Sequence, residues 1–153
     1  MKILVVSLLF AVLAPAAEPD PCLGRWKMDL SKTKYDPGPL PKGIECRYQD
    51  AGSGANRFEA TVRQASGRTF TMTWTARYDG KDYPVKGSPI YDTIVHRRID
   101  RRTVHFTLKK DGKPVSQGRR VLSEDGNTYF NYADGVNEDG TPFHNVGVYV
   151  RER

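Results

Sequence analysis

Two arginines interrupt a face that is otherwise apolar in the second half of this chain. If residues 111–112 form a two-residue hairpin turn, Arg119 lies opposite Val104 on that face. The loop before Val104 adds a second arginine, which is Arg97 or Arg98 according to the loop's length. A buried guanidinium needs an acid, an aromatic ring, a backbone carbonyl or an anionic ligand as partner. The pattern predicts an anion-binding group inside the fold, with snorkelling to water or a structural ion pair as the alternative.

Asp-Gly pairs determine the predicted register of the last four strands, because this dipeptide accepts the positive φ angles of a two-residue turn. Turns at 111–112, 125–126 and 139–140 produce a series of facing residues. The predicted pairs are Leu108 with Val115, Phe106 with Gln117, Val104 with Arg119, Val121 with Phe130, Arg119 with Tyr132, Phe130 with Tyr149, and Tyr132 with Gly147. The row Arg98 (or Arg97), Val104, Arg119, Tyr132 and Gly147 should then point inward, while Ser116, Arg120 and Asn131 share the opposite face.

Motifs of known enzymes are missing from the sequence. It contains no nucleophile elbow, phosphate-binding loop, Cys-x-x-Cys pair or His-Glu-x-x-His. We therefore expect no enzymatic activity and no cofactor. A two-residue turn at 100–101 would set His96 opposite His105, close enough to share a metal, but other loop lengths separate them and no third ligand is evident. We expect no metal site.

The N-terminus has the pattern of a secretory signal peptide. Lys2 precedes an apolar run over 3–14, and Ala14-Pro15-Ala16 fits a cleavage site. The run is too short for a membrane span, which needs about 20 residues. We expect residues 1–16 to be a signal peptide and 17–153 a single exported domain, periplasmic or secreted, without stable membrane insertion.

Charge and cysteines narrow the partners and the compartment. The formal net charge is +6, but basic and acidic residues are interleaved along the chain, which favours a mixed solvated surface over nucleic-acid binding. The chain has two cysteines, Cys22 and Cys46. In an exported protein these predict one disulfide, with two free thiols as the alternative.

Alternation of apolar and polar residues points to β-strands throughout 17–153. The clearest segment is 69–78, where Phe70, Met72 and Trp74 alternate with threonines. Residues 31–42 contain three prolines, which predict an extended connection instead of a helix. Near the start, Gly24-Arg25-Trp26 places an indole on the core face of a first strand.

Several of these motifs together resemble a known class of proteins. Gly24-Arg25-Trp26-Lys27, Asp36-Pro37-Gly38-Pro39, the stretch from Tyr78 to Val85, Arg98-Ile99-Asp100 and Gly118-Arg119-Arg120-Val121 are similar to small exported bacterial lipocalin-like (calycin-type) proteins, mostly uncharacterised. More distantly, the chain resembles lipocalins and fatty-acid-binding proteins. The resemblance implies an all-β fold, an antiparallel up-and-down β-barrel of eight to ten strands, with an interior ligand site.

The resemblance is incomplete at the ligand site of fatty-acid-binding proteins. Their last-strand Arg-x-Tyr corresponds here to Gly147 and Tyr149, so only the tyrosine is present, and 31–42 cannot form their helical lid. We expect an exported binding protein for a small apolar or amphipathic ligand, with an anionic end as one option. The alternative is a solid-cored structural or interaction barrel, and an interior volume near 300 Å³ separates the two. The predicted ligand-binding residues are Trp26, Met72, Trp74, Arg98, Phe106, Arg119, Tyr132 and Tyr149.

Overall fold

A computed structural model describes residues 18–153, so the predicted signal peptide over 1–16 lies outside the described residues. These residues form strands and irregular connections, without a helix. The strands are β1 Gly24–Met28, β2 Lys34–Asp36, β3 Gly43–Asp50, β4 Asn56–Arg63, β5 Thr69–Ala76, β6 Asp79–Pro84, β7 Thr93–Arg98, β8 Thr103–Lys110, β9 Lys113–Leu122, β10 Thr128–Val136 and β11 Pro142–Arg151. It follows that the described residues contain no helix capable of crossing a membrane.

Ten strands form one antiparallel path, in the order β5-β4-β3-β1-β11-β10-β9-β8-β7-β6. Strands that are adjacent in sequence are neighbours almost everywhere, and β11 closes onto β1. The short β2, from the proline-rich connection, lies off this path and pairs with β11. This confirms the predicted all-β, antiparallel up-and-down β-barrel.

The barrel wall is weakest between β5 and β6. The connection here is a single bridge between Thr73 of β5 and Lys86, two residues beyond the end of β6, which exchange two backbone hydrogen bonds of 2.9 Å. If the pairing continued by two residues from this bridge, Thr75 would face Pro84, which has no N–H to donate. The strands diverge there around a surface groove of about 220 Å³. Asp79-Gly80 opens β6 and does not join a regular hairpin.

Trp26 closes one end of the barrel, and its side chain is 0% exposed. Its indole Nε1 donates to the carbonyl of Cys22 at 2.9 Å. The Arg151 guanidinium lies 4.2 Å from the indole centroid and donates to the carbonyls of Pro21, Leu23 and Gly126. The N-terminal segment, the last strand and one turn are thereby joined around the tryptophan.

The turn predicted at 111–112 is confirmed, but the register predicted beyond it is wrong. Asp111 and Gly112 have φ angles of 50° and 75°, and Lys110 faces Lys113 as a two-residue turn requires. A β-bulge then shifts the register between Leu108 and Lys109, so that Leu108 faces Ser116. The predicted pairs of Leu108 with Val115, Phe106 with Gln117 and Val104 with Arg119 are therefore wrong. Val104 faces Arg120.

Of the next two hairpins, the first has the predicted register and the second does not. At 125–126 the pairs Val121 with Phe130 and Arg119 with Tyr132 are confirmed. At 139–140 the backbone of Asn137 bonds to that of Thr141, which leaves a loop of one residue more than predicted. Tyr149 therefore faces Tyr129, Gly147 faces Asn131, and the predicted pairs of Phe130 with Tyr149 and Tyr132 with Gly147 are wrong.

The cysteines form no disulfide, which corrects the prediction. Cys22 and Cys46 are both buried free thiols. The Cys46 sulfur lies 3.2 Å from the Tyr129 hydroxyl, with which it shares a hydrogen bond. Burial, opposed by the Tyr129 hydrogen bond and by Arg120, raises the pKa of Cys46 to about 12. Both sulfurs act as small core groups.

Candidate functional site

The barrel interior contains a cavity of about 90 Å³. Its wall is mainly aromatic and aliphatic, with polar side chains along one part of it. The polar members are His96, Arg120 and Asn131, together with the phenols of four tyrosines. The apolar members include Ile44, Phe58, Met72, Trp74, Ile94, Val104, Phe106 and Leu108.

Arg120 is the one positively charged residue of the cavity wall in the described part of the chain. It is 4% exposed, because the bulge in β9 turns it inward. Its Nη2 donates to the Tyr78 hydroxyl at 2.8 Å, and its guanidinium carbon lies 4.6 Å from the centroid of the Tyr48 ring. Within residues 18–153 no carboxylate oxygen lies within 4.0 Å of it. The buried cation therefore has neutral direct partners.

The Tyr78 hydroxyl connects Arg120 to a buried carboxylate. Tyr78 donates to Oδ2 of Asp20, and the same oxygen accepts from Asn56 at 2.5 Å and from Arg98 at 3.1 Å. Burial alone would raise the pKa of Asp20, but Arg120, the Tyr78 and Cys22 hydrogen bonds and Arg98 together lower it. The Asp20 carboxylate is thus ionised and structurally fixed.

His96 faces the cavity between Trp74 and Tyr78, whose ring centroids lie 5.9 and 5.6 Å from its own. The pKa of His96 is lowered to about 3, mainly by burial and then by the nearby Arg120 charge. The Asp20 charge raises it by less than Arg120 lowers it. The imidazole is therefore neutral at neutral pH. It adds a hydrogen-bonding group to the cavity, and no charge.

Several predicted site residues do meet at the cavity. Met72, Trp74, Phe106 and Tyr149 line it, and Tyr149 stacks on Tyr129 with ring centroids 4.5 Å apart. Trp26 is buried at the end of the barrel and does not line the cavity. That Met72, Trp74, Phe106 and Tyr149 contact a ligand remains a prediction.

Arg98 occupies the predicted row but contacts Asp20 instead of the cavity. It faces Val104, as a loop with three residues requires, and its guanidinium carbon lies 4.2 Å from the Tyr78 ring centroid. The same loop length puts His96 opposite Phe106 and His105 opposite Arg97, so the two histidines lie on different faces.

Arg119 and Tyr132 lie on the outer surface, which contradicts the prediction that they point inward. Arg119 is exposed, and its guanidinium carbon lies 4.6 Å from the Tyr132 ring centroid. The bulge in β9 moves the inward positions of β9 and β10 by one residue. The extra residue in the loop at 137–141 restores the predicted face of β11, so Gly147 and Tyr149 point inward as predicted. The interior row is Arg98, Val104, Arg120, Asn131 and Gly147.

Sequence reasoning missed Arg120, Asn131 and Asp20 as members of the site. Arg120 and Asn131 were assigned to the outer face, and Asp20 lies in the irregular segment before β1. A signal for the arginine was present, because Arg119-Arg120 supplies a cation on either face of β9. No pattern in the sequence connected Asp20 with Tyr78.

No family model and no curated protein matches this chain. Among solved structures, a redesigned β-barrel gives a TM-score of 0.51 at 15% identity, covering 87% of this chain and 93% of that chain. A redesigned β-barrel bound to DFHBI gives 0.48 at 14% identity, over 86% and 95%. The siderocalin Ex-FABP gives 0.39 at 15% identity, over 86% and 74%. The first of these likenesses supports the β-barrel fold alone.

Proposed function

We propose that this protein binds a small anionic molecule in the barrel interior, without catalysing a reaction. Arg120 carries the proposal, because it is a 4% exposed cation in the cavity wall whose direct partners are a phenol and an aromatic ring. A buried charge without a counter-charge in contact is costly to the fold. A bound anion would supply that counter-charge and form charge-assisted hydrogen bonds with the guanidinium.

The cavity volume limits the size of the ligand. About 90 Å³ corresponds to roughly three water molecules in the liquid, well under the ~300 Å³ of a drug-sized site. The ligand is therefore an anion of a few heavy atoms, such as a short carboxylate, and the long apolar ligands of fatty-acid-binding proteins are too large. At no more than ~1.5 kcal/mol per heavy atom, four atoms bind with a Kd no tighter than tens of micromolar.

The expected export of the protein belongs to the same proposal. A signal peptide over 1–16 would deliver the barrel to the periplasm or the exterior, where small organic anions are taken up or sensed. Cell fractionation with a C-terminal tag tests this location. Retention of the uncleaved chain in the cytoplasm would contradict it.

The volume also supports a second candidate, a solid-cored structural or interaction barrel. Stacked rings fill much of the interior, including Phe58 on Trp74 with centroids 3.8 Å apart. Small barrels can be filled by their own side chains. In that case Arg120 serves stability alone and no anion changes the thermal midpoint.

The two candidates are separated by comparing Arg120→Met with Arg119→Met. Both changes remove one arginine charge from neighbouring positions of β9, but only Arg120 faces the cavity. The wild type and the two variants are titrated side by side with a panel of small carboxylates and inorganic anions at millimolar concentration, and binding is followed by NMR. We expect at least one small anion to bind wild type and Arg119→Met with equal affinity and to bind Arg120→Met far more weakly. Equal binding, or no binding, in all three proteins would refute interior anion binding.

A further inference from the structure

The proposed anion site is adjacent to a second set of charges at the end of the barrel. The side chain of Asp20 is 6% exposed there. It accepts hydrogen bonds from the backbone of Cys22 at 2.8 Å and from the side chains of Asn56, Tyr78 and Arg98. A carboxylate with four donors is a fixed part of the structure, although it comes from the irregular segment before β1.

One phenol joins this carboxylate to the cavity. The Tyr78 hydroxyl donates to Asp20 and accepts from Arg120 at 2.8 Å. The carboxylate and the guanidinium are therefore separated by a single oxygen atom. At that separation, and with both side chains buried, their charges interact strongly.

The connected group consists of Arg98, Asp20, Tyr78 and Arg120, and its net charge can be counted. Arg98 and Arg120 are positive, Asp20 is negative, and Tyr78 is neutral because burial raises its pKa. The neighbouring His96 is neutral as well, since burial holds its pKa at about 3. The group that touches the cavity through Arg120 thus carries one uncompensated positive charge.

We infer that Asp20 is a specificity-determining residue, which sets the net charge of the site at +1 and so selects a monoanion over a dianion. The inference rests on the proposed function and deepens it. A monoanion neutralises the group, whereas a dianion leaves an excess buried negative charge beside Asp20. The ligand class is therefore a small monocarboxylate or a comparable singly charged anion.

Charge-changing variants test the inference with acetate and sulfate as probes. Asp20→Asn keeps the shape of the side chain and raises the group to +2, while Arg98→Gln lowers it to 0. Coulomb energy is proportional to ligand charge. The factor by which a variant changes the affinity for acetate should therefore be squared for sulfate, which carries twice the charge. For Asp20→Asn we expect acetate to bind about tenfold and sulfate about a hundredfold more tightly. Arg98→Gln should weaken them by the same factors.

The double variant Asp20→Asn/Arg98→Gln returns the group to +1 and is the matched control. It should restore wild-type affinities for both probes, which loss of packing would not do. Affinities are measured by NMR titration of the indole and guanidinium N–H signals at low ionic strength, where screening is weak. If Asp20→Asn does not fold, Arg98→Gln alone tests the inference, since Arg98 is partly exposed and easier to replace. The factor by which it weakens sulfate binding should be the square of the factor for acetate.

Failure of this inference is distinguishable from failure of the proposed function. If the wild type binds acetate through Arg120 but the variants change acetate and sulfate affinity by equal factors, Asp20 only positions Tyr78 and the inference is overturned. If neither wild type nor Asp20→Asn binds either probe, interior anion binding itself is refuted.

Discussion

At the scale of single residues, His96 carries the clearest dependence on pH. Its pKa is about 3 in the folded protein and 6.5 as the ordinary value. Between those values the unfolded chain binds a proton that the folded protein does not, so stability falls as pH falls from 6.5 towards 3. The loss attributable to His96 at pH 5 should be about 2 kcal/mol.

Urea unfolding at pH 7 and pH 5 measures this loss, and His96→Gln is the comparison. The glutamine variant should be less stable than wild type at pH 7. It should lose much less stability than wild type when the pH is lowered from 7 to 5. Asp20 contributes little in this window, because its carboxyl is ionised above its ordinary pKa of 3.8 in both states. An equal loss in both proteins would show that His96 is not the titrating group.

At the scale of strands, Gly118 provides the space that the interior face of β9 needs. It faces Phe106, and a Cβ there would overlap the Tyr132 carbonyl oxygen and lie 2.9 Å from the Phe106 Cζ. The obstacle is partly backbone of a central strand, which cannot move aside cheaply. Gly118→Ala should therefore reduce the free energy of unfolding by about 3 kcal/mol.

Gly38→Ala is a suitable control for that change. Its nearest atoms would be 3.9 Å from the new Cβ, and its backbone has no positive φ. We expect it to change stability by less than about 0.5 kcal/mol in the same urea titration. Similar losses in both variants would mean that β9 and β10 do not pack as described.

The element scale also shows which features the sequence could predict. Alternation located the strands, and Asp-Gly located the turns at 111–112 and 125–126, because both signals are local. The β-bulge near Leu108 and the extra loop residue near Asn137 are decided by packing between strands, and neither has a clear local signal. Since one residue exchanges the faces of a strand, Arg119 and Tyr132 were predicted inside in place of Arg120 and Asn131.

At the scale of the whole molecule, Arg151 joins the segment before β1 to the last strand. Its guanidinium covers Trp26 and bonds to three carbonyls, from Pro21, Leu23 and Gly126. Arg151→Met should lower stability by about 2 to 3 kcal/mol, since hydrogen bonds and the cation–π contact are lost together.

Thermal unfolding monitored by tryptophan fluorescence measures the effect of Arg151→Met, with the exposed Arg119→Met as control. Anion affinity should change much less than in Arg98→Gln, because Arg151 neither lines the cavity nor bonds to the group that Asp20 and Tyr78 connect to Arg120. A midpoint equal to that of the control would show that the barrel end is held by other contacts.

The strands and the buried position of Trp26 were predictable from strand alternation and from the Gly-x-Trp motif. The interior cation Arg120 and its connection to Asp20 depend on register and on tertiary contacts. Interior anion binding requires that an anion reach Arg120 inside the barrel. Crystals soaked in bromide and measured at the bromine absorption edge test this requirement. We expect an anomalous peak in hydrogen-bonding contact with the Arg120 guanidinium, absent from Arg120→Met. Bromide confined to outer arginines such as Arg119, with no interior peak, would contradict it.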